Sequence, residues 1–176
     1  MPKRQITIRV AIELDLLQLV TVARKYYDEA PMFNRLQFDS ARAVHFAARA
    51  VEDPFQQIFL AFDGNKLLGF LWGGVAPTVW SPDLVAYDQC LYVLKEKRNF
   101  FVASKLVKAF EEWATYLGAK IIHVGMNSGI HNNRTAQAFY TKLGYSPGGG
   151  SLYKEIKEET DVPSHTTPGT DSSSKT

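Results

Sequence analysis

Two apolar runs separated by a tight-turn signal constrain the fold of this chain more than any other feature. The runs are QQIFLAF at residues 56–62 and KLLGFLWGGV at residues 66–75, and the tripeptide DGN lies between them. Asp-Gly supplies the positive backbone angles that a tight hairpin turn needs, and the flanking aliphatic and aromatic side chains favour strands. The segment therefore predicts a β-hairpin, and the other elements must be placed around it.

Strand-like and helix-like periodicities alternate along the rest of the chain. Residues 84–94 are β-branched and aromatic enough for a central strand, and residues 99–117 repeat apolar side chains every three or four positions before Gly118. The other predicted elements are strands at 6–11, 119–126 and 151–156 and helices at 13–29, 40–52 and 133–143. The resulting order, β-α-α-β-β-β-α-β-α-β, predicts an α/β (α+β) fold.

The first two helices carry their own local signals. Leu16, Leu17 and Leu19 belong to the apolar spacing that predicts the buried face of the first helix. Asp39 or Ser40 is expected to cap the second helix, because a short oxygen-bearing side chain there can accept a hydrogen bond from a free backbone N–H group.

Length and composition predict one folded domain followed by a tail. The chain has 176 residues, 45% of them apolar, which suits a single domain over residues 1–156. Residues 157–176 contain one aliphatic side chain and many serines and threonines, so we expect a disordered tail. The formal net charge is +2, which is too small to support a nucleic acid as a required partner.

Cysteine and histidine usage predicts an intracellular protein without a metal centre. Cys90 is the only cysteine, so no internal disulfide can form, and the four histidines lack metal-ligand spacing. No run approaches the roughly 20 apolar residues that span a bilayer, and the first residues lack the apolar core of a signal peptide. We therefore expect a cytoplasmic protein with no membrane partner. The sequence leaves open whether it forms a homodimer.

The segment HNNRTAQAFYTKLGY, residues 131–145, predicts a helix with a tyrosine at a defined place. Asn133 is expected to be the N-cap, accepting from the N–H of Thr135 or Ala136, and Gly144 follows the helix. Seven residues are nearly two turns, so Tyr140 lies on the face of Asn133 about 10 Å further along. A thin, extended ligand along that face would meet both residues.

A second segment, residues 93–106, has the form of an anion site. A strand ends there, a short basic loop with Lys97 and Arg98 follows, and an amphipathic helix begins. Free N–H groups in the first turn of a helix, together with the helix dipole, favour a pyrophosphate. Every α/β protein has such turns, so this signal alone is weak.

These segments resemble the GNAT superfamily, the acyl-CoA-dependent N-acyltransferases, over residues 6–156. The cofactor motif of that family corresponds to Val93, Arg98 and Ala103, with Lys95 in place of a proline and Phe101 in place of the first glycine. The second signature of the family is an asparagine followed by a tyrosine and a glycine. The residues that match it are Asn133, Ala136, Tyr140, Lys142, Gly144 and Tyr145.

The resemblance implies a mostly antiparallel sheet with helices on both faces and a splay between the fourth and fifth strands. It further implies acetyl-CoA as donor, with its pantetheine chain in that splay beside Leu91 and Val93 and an N–H group near Tyr92 as an oxyanion donor. The other residues that would hold the cofactor are Arg98, Asn99, Phe100, Phe101, Val102, Ala103, Ser104, Asn133 and Tyr140. A Phe101 side chain directed into the core would leave the backbone N–H groups accessible to phosphate.

The implied reaction transfers an acetyl group to a primary amine of a small molecule or protein. An alkylamine with a pKa of about 10.4 is protonated at neutral pH, and removing that proton costs about 4 kcal/mol unless a base assists. Asp88 is the first candidate base, expected on one strand face with Cys90 and Tyr92. Relay through water, with Asp88 a solvated or salt-bridged carboxylate, is the alternative.

The resemblance assigns Tyr140 the protonation of the departing CoA thiolate, a role that suits its phenol. The alternative for Tyr140 is an aromatic anchor of the last helix in the core. Phe101 also leaves a second function open, namely a non-catalytic module that acts by binding a partner protein.

Other candidates for chemistry have weaker support. Cys90 near His123 could form a nucleophilic pair, but a lone cysteine on an apolar strand usually packs. A metal site from Asp88, His123 and His131 has no supporting spacing, so no metal is expected. Trp80, in a loop with two prolines, is either a packing residue or part of an acceptor groove.

Overall fold

In the described part of the chain, the predicted hairpin forms the second and third strands of a five-stranded sheet. The computed structural model describes residues 6–149, so the predicted strand at 151–156 and the predicted tail lie outside the described residues. The strands are β1 (Ile6–Val10), β2 (Gln56–Asp63), β3 (Lys66–Pro77), β4 (Leu84–Val93) and β5 (Ile121–His123). They lie in sequence order across the sheet, and every neighbouring pair is antiparallel except β4 and β5, which are parallel.

Within residues 6–149, four helices connect or flank these strands. They are α1 (Leu16–Glu29), α2 (Ser40–Glu52), α3 (Phe100–Tyr116) and α4 (Asn133–Lys142), and short 3₁₀ turns precede α1 and α3. Asp39 is the N-cap of α2, since its carboxylate accepts the Arg42 N–H at 2.9 Å. Gly64 in the hairpin turn has a φ of 59° and Gly118 after α3 a φ of 83°, values that L side chains rarely adopt. These local predictions are confirmed.

The helices cover both faces of the sheet, as predicted. One buried cluster joins side chains of α1 and α2, including Leu19 and Ala47, to Phe70 of β3. The other joins Leu106 and Phe110 of α3 and residues of α4 to the opposite face. The prediction that Leu17 belongs to the buried face of α1 is wrong: Leu17 is 78% exposed, because the face turned toward the sheet passes through Leu16, Leu19 and Val22.

A β-bulge interrupts β4. Trp72 pairs with Cys90 and the next residue of β3, Gly73, pairs with Asp88, so Gln89 is an extra residue in β4. Ala86 packs in the cluster on the α3 face, whereas Cys90 and Tyr92 pack on the α1 and α2 face. A bulge reverses the alternation of side chains in this way. The prediction that Asp88 shares a face with Cys90 and Tyr92 by simple alternation is therefore wrong.

The sheet splays open between β4 and β5. Only three residue pairs join them, from Val85 with Ile121 to Tyr87 with His123, so the strand predicted at 119–126 is shorter than expected. Beyond His123 the chain leaves the ladder, and the Gly125 N–H donates to the side chain of Asp88 at 2.7 Å instead. The second half of β4 consequently borders a cleft, as the resemblance implied.

The helices within residues 6–149 are all too short or too polar to cross a lipid bilayer.

Candidate active site

A cavity of about 370 Å³ occupies the cleft between β4 and the segment after β5. That volume lies within the roughly 300–1,000 Å³ range of small-molecule sites. The second half of β4 lines the cavity. The other lining residues come from the end of α1 and the loop after it, the start of α3, the segment after β5, and α4. The predicted site residues that line it are Asp88, Leu91, Tyr92, Val93, Arg98, Asn99, Phe100, Ala103 and Tyr140.

Asp88 lies on β4 immediately before the bulge and lines this cavity. Burial raises the pKa of its carboxyl to about 6, and the hydrogen bond from the Gly125 N–H opposes that shift. A carboxyl with this pKa is ionised at neutral pH yet is a stronger proton acceptor than an ordinary aspartate. Asp88 can therefore serve as a general base.

Tyr140, on α4, is 8% exposed and lines the same cavity. Burial and the nearby charge of Asp88 raise the pKa of its phenol well above its usual range. Its ring packs edge-on against Phe139 and Tyr145, with centroid distances of 5.0 and 5.4 Å. Tyr140 thus keeps its proton at neutral pH in an orientation fixed by packing. It combines the two roles considered for it, a core aromatic and a potential proton donor.

Cys90 follows the bulge and also lines the cavity. Burial and the nearby Asp88 raise the pKa of its thiol to about 12, so the thiol remains protonated at neutral pH. A thiolate is the nucleophilic form of cysteine, and this environment disfavours it. His123, the partner considered for a nucleophilic pair, is exposed on β5.

The end of β4 and the start of α3 are joined through Arg98. Its guanidinium donates to the Val93 carbonyl at 3.1 and 3.2 Å and to both carboxylate oxygens of Glu29 at 2.7 and 2.8 Å. Tyr92 donates its hydroxyl to the same Glu29 carboxylate at 3.0 Å. The guanidinium expected to help with a pyrophosphate is thus already paired with a carboxylate. Sequence reasoning missed Glu29, since nothing local links it to a partner 69 residues away.

The residues predicted in the first turn of α3 have different surroundings in the structure. The Asn99 side chain caps it by accepting the Val102 N–H at 3.0 Å, so that N–H group is already satisfied. Val102 is 2% exposed in the core, and Ser104 donates its hydroxyl back to the Phe101 carbonyl. Phe101 is 54% exposed under the ammonium of Lys105, so its predicted direction into the core is wrong. Asn99, Phe100 and Ala103 contribute to the cavity, whereas Phe101, Val102 and Ser104 do not.

The cap of α4 lies one residue earlier than predicted. Asn132, not Asn133, is the N-cap, and its side chain accepts the Thr135 N–H at 2.8 Å. Asn133 is the exposed first residue of the helix and does not line the cavity, whereas Thr135 and Ala136 do. Either asparagine could cap by residue type, and only the backbone conformation distinguishes them.

Three apolar or aromatic side chains that sequence reasoning missed also line the cavity. They are Tyr26 of α1, Phe33 of the loop after it and Ile130 of the loop before α4. Tyr26 lies within the helix predicted at residues 13–29. The helical pattern gives no sign that it borders a cleft formed by β4 and the segment after β5, which are distant in sequence.

Other candidates lie elsewhere. Trp80 is 94% exposed and outside the cavity, so the groove role considered for it is not supported. His131 lines the cavity, where burial and the charge of Arg98 lower the pKa of its imidazole. Within residues 6–149, no three histidine, cysteine or acidic side chains lie close enough to hold a metal ion.

Comparison with protein families identifies one match. The model of the acetyltransferase (GNAT) domain matches residues 54–147, which spans β2 through α4 and includes Asp88, Arg98 and Tyr140. No protein of curated function matches the sequence at a significant level.

Solved structures share the fold at low sequence identity. A transcriptional regulator from Bacillus halodurans C-125 superposes with a TM-score of 0.71 at 20% identity, covering 86% of this chain and 100% of that one. An aminoglycoside acetyltransferase from an uncultured soil metagenomic sample has a TM-score of 0.69 at 18% identity, covering 89% and 100%. AAC(6')-Iy, in complex with the bisubstrate analogue CoA-S-monomethyl-acetylneamine, has a TM-score of 0.69 at 15% identity, covering 87% and 99%.

Proposed function

Since this chain belongs to the GNAT acetyltransferase family, we propose that it transfers an acetyl group from acetyl-CoA to a primary amine by direct attack in a ternary complex. The observation that carries the proposal is the cavity in the splay, which places an elevated-pKa carboxyl, Asp88, and a protonated phenol, Tyr140, in one lining. The acceptor is a small molecule or an amine of a protein.

The cleft suits the donor substrate. Beyond Tyr87, β4 has no strand beside it on the β5 side within the described residues, and an extended chain with amide groups could lie along that edge. Leu91, Tyr92 and Val93 border this edge, and Asn99, Phe100 and Ala103 border the cavity near the start of α3. The Tyr92 N–H as an oxyanion donor remains a prediction.

In the proposed reaction, the Asp88 carboxylate accepts a proton from the acceptor ammonium. The freed nitrogen then attacks the thioester carbonyl carbon, a C–N bond forms, and the C–S bond breaks. The leaving thiolate takes the phenolic proton of Tyr140, and the nitrogen loses its second proton to solvent as the amide forms. Exchange with solvent then removes the proton from Asp88 and replaces the one lost by Tyr140. No residue carries the acetyl group, in agreement with the raised pKa of the Cys90 thiol.

A second candidate is a catalytically weak or inactive module that binds a partner protein. Arg98 and the Val102 N–H favour it, because both are engaged by side chains of the chain itself, Glu29 and Asn99. Diphosphate binding would compete with these contacts, or would use other N–H groups of the same turn.

Calorimetric titration with acetyl-CoA and CoA, followed by a CoA-release assay on an amine panel, tests the proposal. Acetyl-CoA binding together with amine-dependent CoA release is the expected result. No heat at millimolar acetyl-CoA would overturn it and favour the binding module. We further propose that the protein acts in the cytoplasm. Whether it forms a homodimer is a separate question for sedimentation.

A further inference from the structure

The cavity is poor in negative charge. Within residues 6–149, Asp88 is the only carboxylate that lines the cavity. The nearby Glu29 does not line it, and its two oxygens are held by Arg98 and Tyr92. An entering ammonium group therefore finds one free anionic partner.

The walls around Asp88 are apolar and aromatic. Burial raises the pKa of the Tyr26 phenol, and the nearby Cys90 and Asp88 raise it further. The Tyr26 ring lies 5.9 Å from the ring of Phe33 and 5.6 Å from that of Tyr92. Ile130 packs against the same cluster. Such a surface favours an apolar or aromatic body in the acceptor.

Contacts between the loop after α1 and the loop before α4 position the wall formed by Tyr26, Phe33 and Ile130. The Met32 N–H donates to the Ser128 carbonyl at 3.4 Å, which joins the loop after α1 to the loop before α4. The backbone of Gly129 also lies against Pro31, whose Cδ would be 3.4 Å from a Cβ added to the glycine. Phe33 and Ile130 are thereby held on either side of the same junction.

Within residues 6–149, the cavity lining offers no second carboxylate to another ammonium group. Arg98 lines the cavity, but its guanidinium and the Glu29 carboxylate are paired with each other. A polycationic amino sugar would bring several ammonium groups out of water, and each buried charge without a partner is costly. Aromatic faces attract cations, but they do not replace several missing carboxylates.

Building on the proposed acetyltransferase function, we propose that the acceptor is a monoamine with an apolar or aromatic body, and that polycationic amino sugars are poor acceptors.

CoA release with 2-phenylethylamine and with neamine tests this inference. We expect kcat/KM to be higher for 2-phenylethylamine by about 10²-fold or more, since the unpaired ammonium groups of neamine penalise its transition state. Phe33→Ala should raise KM for 2-phenylethylamine, and Phe33→Leu should raise it less. The leucine variant keeps the test available if the alanine variant unfolds. Trp80→Ala, which removes an exposed aromatic side chain outside the cavity, is the matched control and should leave both rates unchanged.

Equal or better turnover of neamine would overturn the inference and leave the acetyltransferase function standing. An unchanged KM in a folded Phe33→Leu variant and in Phe33→Ala would equally overturn the role of this wall. Failure to bind acetyl-CoA in calorimetry would remove the proposed function and the inference with it. Acetyl-CoA binding with transfer to neither amine would overturn the inference alone.

Discussion

At the scale of single residues, burial acts on Asp88 and Tyr140 in the same direction with different chemical results. Desolvation disfavours the charged form of each group, so it raises both pKa values. For the carboxyl, the result is a stronger base that still ionises below neutral pH. For the phenol, the result is a donor that keeps its proton. One environment therefore separates a proton acceptor from a proton donor.

The pH dependence of catalysis should report the ionisation of the Asp88 carboxyl. The Asp88 carboxyl must be ionised to act as a base. Therefore kcat/KM should increase as the pH rises through about 6 and level off at higher pH. Asp88→Asn keeps an oxygen for the Gly125 N–H but cannot accept the proton, so it should lower kcat by about 10²-fold or more and abolish the break near that pH. Rate profiles of both proteins in CoA-release assays provide the measurement. An unchanged break in the variant would assign it to another group.

Replacing Tyr140 by phenylalanine isolates the phenolic proton. Tyr140→Phe preserves the ring packing and should reduce kcat by about 10²-fold with little change in Tm. Tyr116→Phe on α3 is the matched control, because Tyr116 is 86% exposed and lies outside the cavity. Wild-type turnover in Tyr140→Phe would limit this residue to packing.

At the scale of elements, helix ends and their partners position the site. Asn132 starts α4, Asn99 starts α3, and the pair of Glu29 and Arg98 ties the last turn of α1 to the residue before the α3 cap. These contacts set where three elements meet around one cavity.

The cap of α4 offers a comparison between adjacent asparagines. Asn132→Ala should lower the free energy of unfolding by about 0.5–2 kcal/mol, because the Thr135 N–H loses its acceptor. Asn133→Ala should change it by about 0.5 kcal/mol or less, since Asn133 is an exposed helical residue. Urea unfolding of the two variants measures both values. The reverse order would support the cap predicted from the sequence.

The ion pair between α1 and α3 should contribute to stability. Glu29→Gln should cost about 1–3 kcal/mol by urea unfolding, because the partly buried Arg98 loses a charged partner. Asp28→Asn, which breaks the exposed pair with Arg24 on the same helix, should cost about 0.5 kcal/mol or less.

The sign of the pH effect follows from the pKa of Glu29. Arg98 and Tyr92 lower that pKa in the folded protein. The stabilisation is therefore fully present above the unfolded pKa of about 4.3 and is lost as pH falls through the folded value. The stability difference between wild type and Glu29→Gln should shrink in acid. A difference that grows below pH 4 would contradict this assignment.

At the scale of the whole molecule, two hydrophobic cores pack against opposite faces of one sheet. Gly73 shows how closely they approach the sheet, since a Cβ added there would lie 2.4 Å from the Phe110 ring, which is fully buried. Gly73→Ala should therefore lower stability by about 1–3 kcal/mol through overpacking against α3. Gly148→Ala, where nothing lies within 4 Å of the added Cβ, is the control for thermal unfolding. Equal Tm values for the two variants would show that α3 shifts freely.

The sequence by itself determined the order of elements, the hairpin and the family, because these depend on periodicity, turn chemistry and short motifs that act within about ten residues. Asp88 and Tyr140 could be nominated on the same basis. The bulge at Gln89, the choice of Asn132 over Asn133, the Glu29 partner of Arg98 and the apolar wall of Tyr26, Phe33 and Ile130 were decided only by the tertiary structure. Each depends on which distant segments meet and on how the backbone bends where they meet, and a local pattern carries no information on either.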